Sequence, residues 1–499
     1  MRKQLLAIAL VVGIATAIQL GCSGGSLPPG TGTSVAPGSV VIFGGDAPLC
    51  SILSFNATVT GITLTPQGGG TPVSVLSGGS PITLDFASLM DFTTVLSFSS
   101  VVPGTYTALT VTLSNPQLYV WDTTKTPPAP NTIAVTLSSS TITLDLSPVV
   151  TVASNGTVGL QLDFNLLKAV QIDKTTGQIT GSVTPTFAVS SASATGTNGF
   201  AEFENLRGII QSVATTSTNP SFTGNFTVQW PLSASFVINV SSSTKFDGIS
   251  GLSSLTSGTF VEVDAFADAN GNVVAKEVQV EEQEDASTGQ AAFLGLITSV
   301  TRDSSGNATT FNLFVREEAP DVSSRVPLGS LLTVNVGSST GFSLVARGTN
   351  FATLPFDPTT LAVGQRVVVH GQLSAAGATP VTADARSIFL GIQSILGNLS
   401  VSPTTPVVIS SSVDPKTGGF TLLPCSPVFQ SQPSITVVTH SQTTTFAGIS
   451  DLNGLTSAQP LLLVKGLLFY QQKVGTVSGV TWGVLPANVQ VASQVHQLP

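Results

Sequence analysis

The side chains able to do chemistry in this 499-residue chain are few and scattered. There are three histidines, His370, His440 and His496, and three cysteines, Cys22, Cys50 and Cys425. A metal centre or a nucleophilic triad needs such groups to converge with acids or hydroxyls, and their spacing here brings none of them together locally. His370 stands in "VVVHG", in a slot that two other stretches fill with Asp264 ("VEVDA") and Lys465 ("LLVKG"). A slot that accepts His, Asp or Lys reads as a solvent-facing strand end rather than a ligand position. The stretch 268–277, "DANGNVVAKE", opens with the Asp-x-Asn spacing of a calcium loop but lacks the remaining acids, so it reads as a hairpin turn. Asp46 in "GDAP" and Asp163 in "LDF" each lie beside apolar residues. A glycosidase would need two such acids facing one another across a cleft, and turn-capping is the simpler role for Asp46. No H-E-x-x-H helix or phosphate-binding glycine loop occurs. No catalytic residue, metal ligand or cofactor site is therefore assigned.

One aromatic pair stands out because the chain has three Tyr and three Trp in all. Tyr119 and Trp121 lie two apart in "QLYVWD", so in a strand they share a face. Facing solvent, they form a flat platform suited to stacking on a sugar; facing inward, they are ordinary core.

The elements that must position these residues are strands. In "GTYTALTVTLSNPQLYVWD", Leu109, Val111 and Leu113 fall on one face and Thr110 and Thr112 on the other. Turn sequences such as "DANGN", "DSSGN" and "DPKTGG" punctuate the strands. Helix signals are few: "DFASLMDF" and "SPVVTVASNG" can each hold a turn or two. Hydrophobic residues make up 41% and charged residues 9%, enough apolar material for real cores and far below the usual charge content. The net charge is −9 with no basic cluster, which argues against a nucleic-acid partner. The one dense acidic run, "EVQVEEQED" at 277–285, reads as a solvated strand end or linker.

The C-terminal 300 residues repeat. "STKFDGISGLSSLTSG" at 243–258 returns as "TTTFAGISDLNGLTSA" at 443–458, the mark of duplicated supersecondary units. Between them "LGLITSV" (294–300) echoes "RGIIQSV" (207–213), and "LAVGQRVVVHGQL" (361–373) matches the place of "LTSGTFVEVDAF" (255–266). Each unit reads as a Gly-led strand, a hairpin, a Thr-x-Phe strand, a loop and an apolar alternating strand. The spacing predicts that Phe246, Ile249 and Leu252 match Phe446, Ile449 and Leu452, with Gly248 and Gly448 turning the chain at equivalent points.

The N-terminus is an address. Met1-Arg2-Lys3 is a basic start and Leu5–Ala17 an apolar run too short to span a bilayer. Gly21-Cys22 then resembles the lipobox of bacterial lipoproteins, with Gln19 in the customary Leu position. The resemblance implies cleavage before Cys22, acylation of Cys22 and a membrane partner reached through that lipid. Several acyl chains give stable anchoring where one does not. Ser23 after the Cys implies the outer membrane or cell surface. The stretch 22–38 is Gly/Ser/Pro-rich and reads as a tether. In an exported protein Cys50 and Cys425 can bond, tying the first domain to the last repeat; their apolar surroundings, "APLCSIL" and "LLPCSPV", suit two separate buried thiols equally.

Residues 39–190, through Asp46-Ala47-Pro48, Gly104-Thr105-Tyr106 and Leu162-Asp163-Phe164, resemble a β-sandwich domain of unknown function common in bacterial lipoproteins. The repeats resemble small exported β-barrel domains of unknown function, similar to an oligonucleotide/oligosaccharide-binding barrel. The expected organisation is a signal peptide (1–21), a tether (22–38), a β-sandwich (39–190) and three barrel-like domains (200–286, 287–390 and 391–499), all-β throughout. The expected role is that of a non-catalytic, membrane-anchored surface lipoprotein in binding, adhesion or envelope structure. A glycan or a protein is its possible surface ligand, with carbohydrate binding and acid-based hydrolysis as the rival functions.

Overall fold

Alternation becomes sheet wherever one face can be buried. Gly104–Asp122 is a 19-residue strand whose Leu109, Val111 and Leu113 are buried, while the hydroxyls of Thr110 and its cross-strand neighbour Thr143 meet on the outer face at 3.0 Å. The computed structural model describes residues 37–47, 50–76, 81–89, 94–173, 175, 178–192, 199–229, 235–280, 288–319, 322–344, 354–400, 407–409, 414–455, 461–470, 476–477, 480–481 and 488–498. The signal, Cys22 and most of the tether lie outside them. Residues 37–499 form one compact unit.

The first module is a β-sandwich. One sheet pairs Gly38–Ala47 with Thr157–Asn165 in parallel and with Thr94–Val101 in antiparallel, and Phe187–Ala192 flanks it. The facing sheet is built on Ile52–Pro66 against Gly104–Asp122, extended by Ala129–Ile133 and Thr141–Val152. Between them Phe55, Phe86, Phe164 and Phe187 form an aromatic centre, with the Phe55 and Phe164 rings stacked at 5.4 Å. Tyr106 of the Gly104-Thr105-Tyr106 motif is buried and its hydroxyl donates to the Val102 carbonyl at 2.6 Å. "FASL" at 86–89 is a short 3-10 turn, whereas "SPVVTV" is strand.

Three five-stranded barrels follow. The middle one is Gln290–Arg302, Ala308–Ala319, Leu331–Leu344, Arg366–Leu373 and Thr382–Leu390. Its strands close in the order first, second, third, fifth, fourth, and only the third and fifth run parallel. The barrel before it repeats this order with Ala201–Ala214, Gly224–Gln229, Ser235–Val240 plus Lys245–Asp247, Phe260–Ala267 and Val273–Val280. The barrel after it does so with Gln393–Leu399, Gly418–Pro424, Ile435–Thr439 plus Thr445–Ala447, Leu461–Phe469 and Asn488–Gln497. The fold class is all-β, with repeated barrels.

The repeat is physical in detail. Gly208, Gly295 and Gly397 sit at the same point of each first strand, where a Cβ would overlap a carbonyl oxygen of the second strand. Glycine alone lets the two backbones cross that closely. The Thr-x-Phe strand is held by its threonine: Thr244, Thr340 and Thr444 Oγ1 donate to the carbonyls of Ala275, Ala385 and Ala492 at 2.7, 2.8 and 2.7 Å. Each also accepts a backbone N–H three or four residues upstream. Phe246 and Phe446 are both half-buried against their barrel cores, as are Ile249 and Ile449, and Gly248 and Gly448 share a positive φ of 78° and 73°. Leu252 is half-buried where Leu452 is fully buried.

Candidate functional site

The modules are joined by residues on their outer faces, and the joints concentrate where the sandwich meets the second and third barrels. Leu53 and Tyr119 of the sandwich, Phe314 and Val363 of the middle barrel and Val428 of the last form one buried cluster, with Trp121 packed against it. The Tyr119 ring meets Phe314 edge-on at 5.9 Å, and its hydroxyl donates to the Leu328 carbonyl at 3.3 Å. Gly329, with φ +78°, lies against that ring, where a Cβ would run into it. The Tyr119–Trp121 face is thus neither an open platform nor the sandwich's own core. It is covered by a neighbouring module, which removes the sugar-stacking surface at these residues.

Cys50 and Cys425, with Cα atoms 5.3 Å apart, are joined in a disulfide across the same junction. Beside it Asp85 and Arg316 pair between the sandwich and the middle barrel, Arg316 Nε lying 3.6 Å from Asp85 Oδ2. Asp85 Oδ1 accepts the backbone N–H groups of Phe55 (2.9 Å) and Ala87 (3.1 Å), and Arg316 Nη2 donates to the Leu53 carbonyl at 2.6 Å. Burial pushes the Asp85 carboxyl above the usual carboxylate range; Arg316 and the backbone donors pull it back without offsetting that. Burial likewise raises the Tyr119 phenol, and the Asp85 charge adds to the shift.

These groups border a cleft to which all three modules contribute. Cys50, Ile52, Leu53, Ala87 and Ser88 come from the sandwich, Leu296, Arg316, Gly364 and Arg366 from the middle barrel, and Ser394, Cys425 and Phe429 are among those from the last. Beside it buried glutamines cross between the middle and last barrels, and one of them, Gln393, lines the cleft. Gln365 Nε2 donates to the Leu468 carbonyl (2.7 Å) and Gln393 Nε2 to that of Gly364 (2.6 Å), while Gln393 Oε1 accepts the Arg366 N–H (2.7 Å). These bonds lock the middle and last barrels in one register. The cleft combines apolar walls with the guanidinium-bearing side chains of Arg316 and Arg366.

The remaining sequence candidates fall elsewhere. His370 is fully buried, contrary to its reading as a solvent-facing strand end. Its slot is correctly matched: Asp264, His370 and Lys465 each precede a β-bulge at the same point of the fourth strand. The difference is that the outer face of the middle barrel is covered, and the His370 ring lies 6.2 Å from Phe260 of the first barrel and 5.3 Å from Phe389. Asp268 is the hinge of a hairpin, accepting the N–H groups of Asn270 and Asn272 and the Asn272 amide. The adjoining Gly271 rests on Thr157 and Val41 of the sandwich. Asp163 pairs in register with Gly45, and Asp46 with Phe164, so the two acids do not stand opposite each other; burial raises the Asp163 carboxyl. Among the described residues no group of three His, Cys, Asp or Glu is placed to hold a metal ion, and no helix is long and apolar enough to cross a membrane.

Two stretches match families of unknown function. Residues 38–180 match the model of a domain of unknown function (DUF4382), and residues 207–279 match that of another (DUF5666). They coincide with the sandwich and the first barrel. No curated protein matches the chain. Among solved structures the chain is similar to drosophila Unr CSD456 at 10% identity, over 59% of this chain and 96% of that one, with a TM-score of 0.13. At that score the likeness carries no argument.

Sequence reasoning missed Asp85, Arg316, Arg366, Gly329 and Phe429. Gly329 carried a usable signal, since it stands in a turn sequence; Asp85, Arg316 and Arg366 look like ordinary strand residues until the modules are docked.

Proposed function

We propose that this protein is a non-catalytic surface lipoprotein, anchored through lipid on Cys22 and presenting a rigid β assembly at the outer membrane or cell surface. The observation that carries the reading is the way the modules are joined. A disulfide, a buried ion pair, an apolar cluster and a glutamine seam fix the sandwich and the last two barrels to one another. Such joints suppress hinge motion between the modules, which suits a presenting or load-bearing envelope protein. The basic start, the apolar run and Gly21-Cys22 support the anchor. The burial of Tyr119 withdraws the support for the carbohydrate-binding alternative at that face.

The test is metabolic labelling with a fatty-acid probe. The wild-type chain is expected to label and fractionate with membranes, and Cys22→Ser to lose both properties. Unlabelled wild type, or equal labelling of the variant, overturns the anchor. Turnover by the purified Cys22→Ser chain on glycoside or ester substrates overturns the non-catalytic reading.

A further inference from the structure

We propose that the three-module cleft binds a small organic anion, a carboxylate carried on an apolar body. The residues lining it include Arg316 and Arg366 and no Asp or Glu, in a chain whose net charge is −9. Asp85, which pairs with Arg316, is buried and does not line the cleft. Guanidinium groups are planar forks suited to carboxylate oxygens, and Arg316 is already held in place by the Leu53 carbonyl and Asp85. A ligand therefore meets a preformed donor and does not have to order one.

The second observation is Ser394. Ser394 lines the same cleft, and its hydroxyl, turned away from solvent, makes no hydrogen bond within the structure. A buried hydroxyl without a partner is costly, and a turn of the serine about χ1 toward the cleft would give it a carboxylate oxygen as acceptor. Ile52, Leu53, Leu296 and Phe429 make the remaining wall apolar, which selects an anion with a hydrophobic body over a bare inorganic one. The inference deepens the binding part of the proposed function but does not rest on lipid anchoring, and it stands whether or not Cys22 is acylated.

The experiment uses the full chain carrying Cys22→Ser and three probes: benzoate, benzyl alcohol and inorganic phosphate. Titration calorimetry is expected to show benzoate binding at least about tenfold more tightly than either of the others. Arg366→Gln and Ser394→Ala are expected to weaken benzoate by about tenfold and severalfold respectively, the scale of a charged and a neutral hydrogen bond. Because Cys50 and Cys425 both line the cleft, saturating benzoate should also slow reduction of their disulfide by dithiothreitol. This readout locates the ligand and needs no variant to fold. Equal binding of benzyl alcohol refutes the role of charge, and equal binding of phosphate refutes the apolar body. No benzoate binding, or an unchanged reduction rate at saturation, refutes the site.

Discussion

Replacing both Cys50 and Cys425 by serine removes the covalent link between the sandwich and the last barrel. The two cysteines are 375 residues apart in sequence, so the bond closes a loop through most of the chain. On the loop-closure model the unfolded chain regains about 6 kcal/mol of conformational entropy when a loop of that length is opened. The native side changes little: both cysteines are only half-buried, so serine fits, and the apolar cluster and glutamine seam remain. The expected result is a loss approaching 6 kcal/mol in guanidinium unfolding followed by tryptophan fluorescence. Wild-type protein reduced with dithiothreitol should unfold at the same midpoint as the double serine variant. A loss below about 1 kcal/mol would refute the argument, because the loop-closure model gives several times that for a loop of this size. So would alkylation of Cys50 and Cys425 in protein never exposed to reductant.

Two further outcomes follow from the same junction. Gly329→Ala places a Cβ into the Tyr119 ring at a φ of +78°, and the combined backbone strain and overpacking should cost about 2–4 kcal/mol in thermal unfolding; an unchanged melting temperature would show that the contact is loose. Asp85 is an acid whose folded-state pKa is raised from 3.8, so the stability its protonation confers is complete below that value and is lost as pH rises through the folded pKa. The stability of wild type relative to Asp85→Asn should therefore increase as pH falls from neutral toward 4, and a difference that shrinks or stays flat contradicts the assignment.

The strands, the barrels and their internal equivalences were legible because they depend on local rules. Period-two alternation placed Leu109 and Val111 inside, and the matched glycines and Thr-x-Phe segments recur because each barrel has the same close crossing and the same tie. His370 was misread, and the face of Tyr119 left open, for one shared reason. Alternation tells which face of a strand points away from its own core, but not whether another module covers that outer face. His370 points away from the middle barrel and meets Phe260; Tyr119 points away from the sandwich and meets Phe314. The cleft was invisible for the same cause, since Leu53, Arg316 and Ser394 are brought together only by docking. For the cysteines, apolar neighbours are compatible with both bonded and free thiols, and only the 5.3 Å Cα separation decides between them.

The bond between Cys50 and Cys425 also sets how the protein carries tension. If the chain is held near its start and pulled through something attached to the last barrel, the force enters at the first strand of the sandwich, Gly38–Ala47. It then crosses a single covalent link to residue 425. The segment between, which contains the first two barrels, lies outside the load path. Its contour length, about 1,300 Å at full extension, cannot be paid out while that link survives. Shear that would peel an unlinked string of barrels apart one at a time instead falls on the Gly38–Ala47 strand and on the part of the last barrel beyond Cys425.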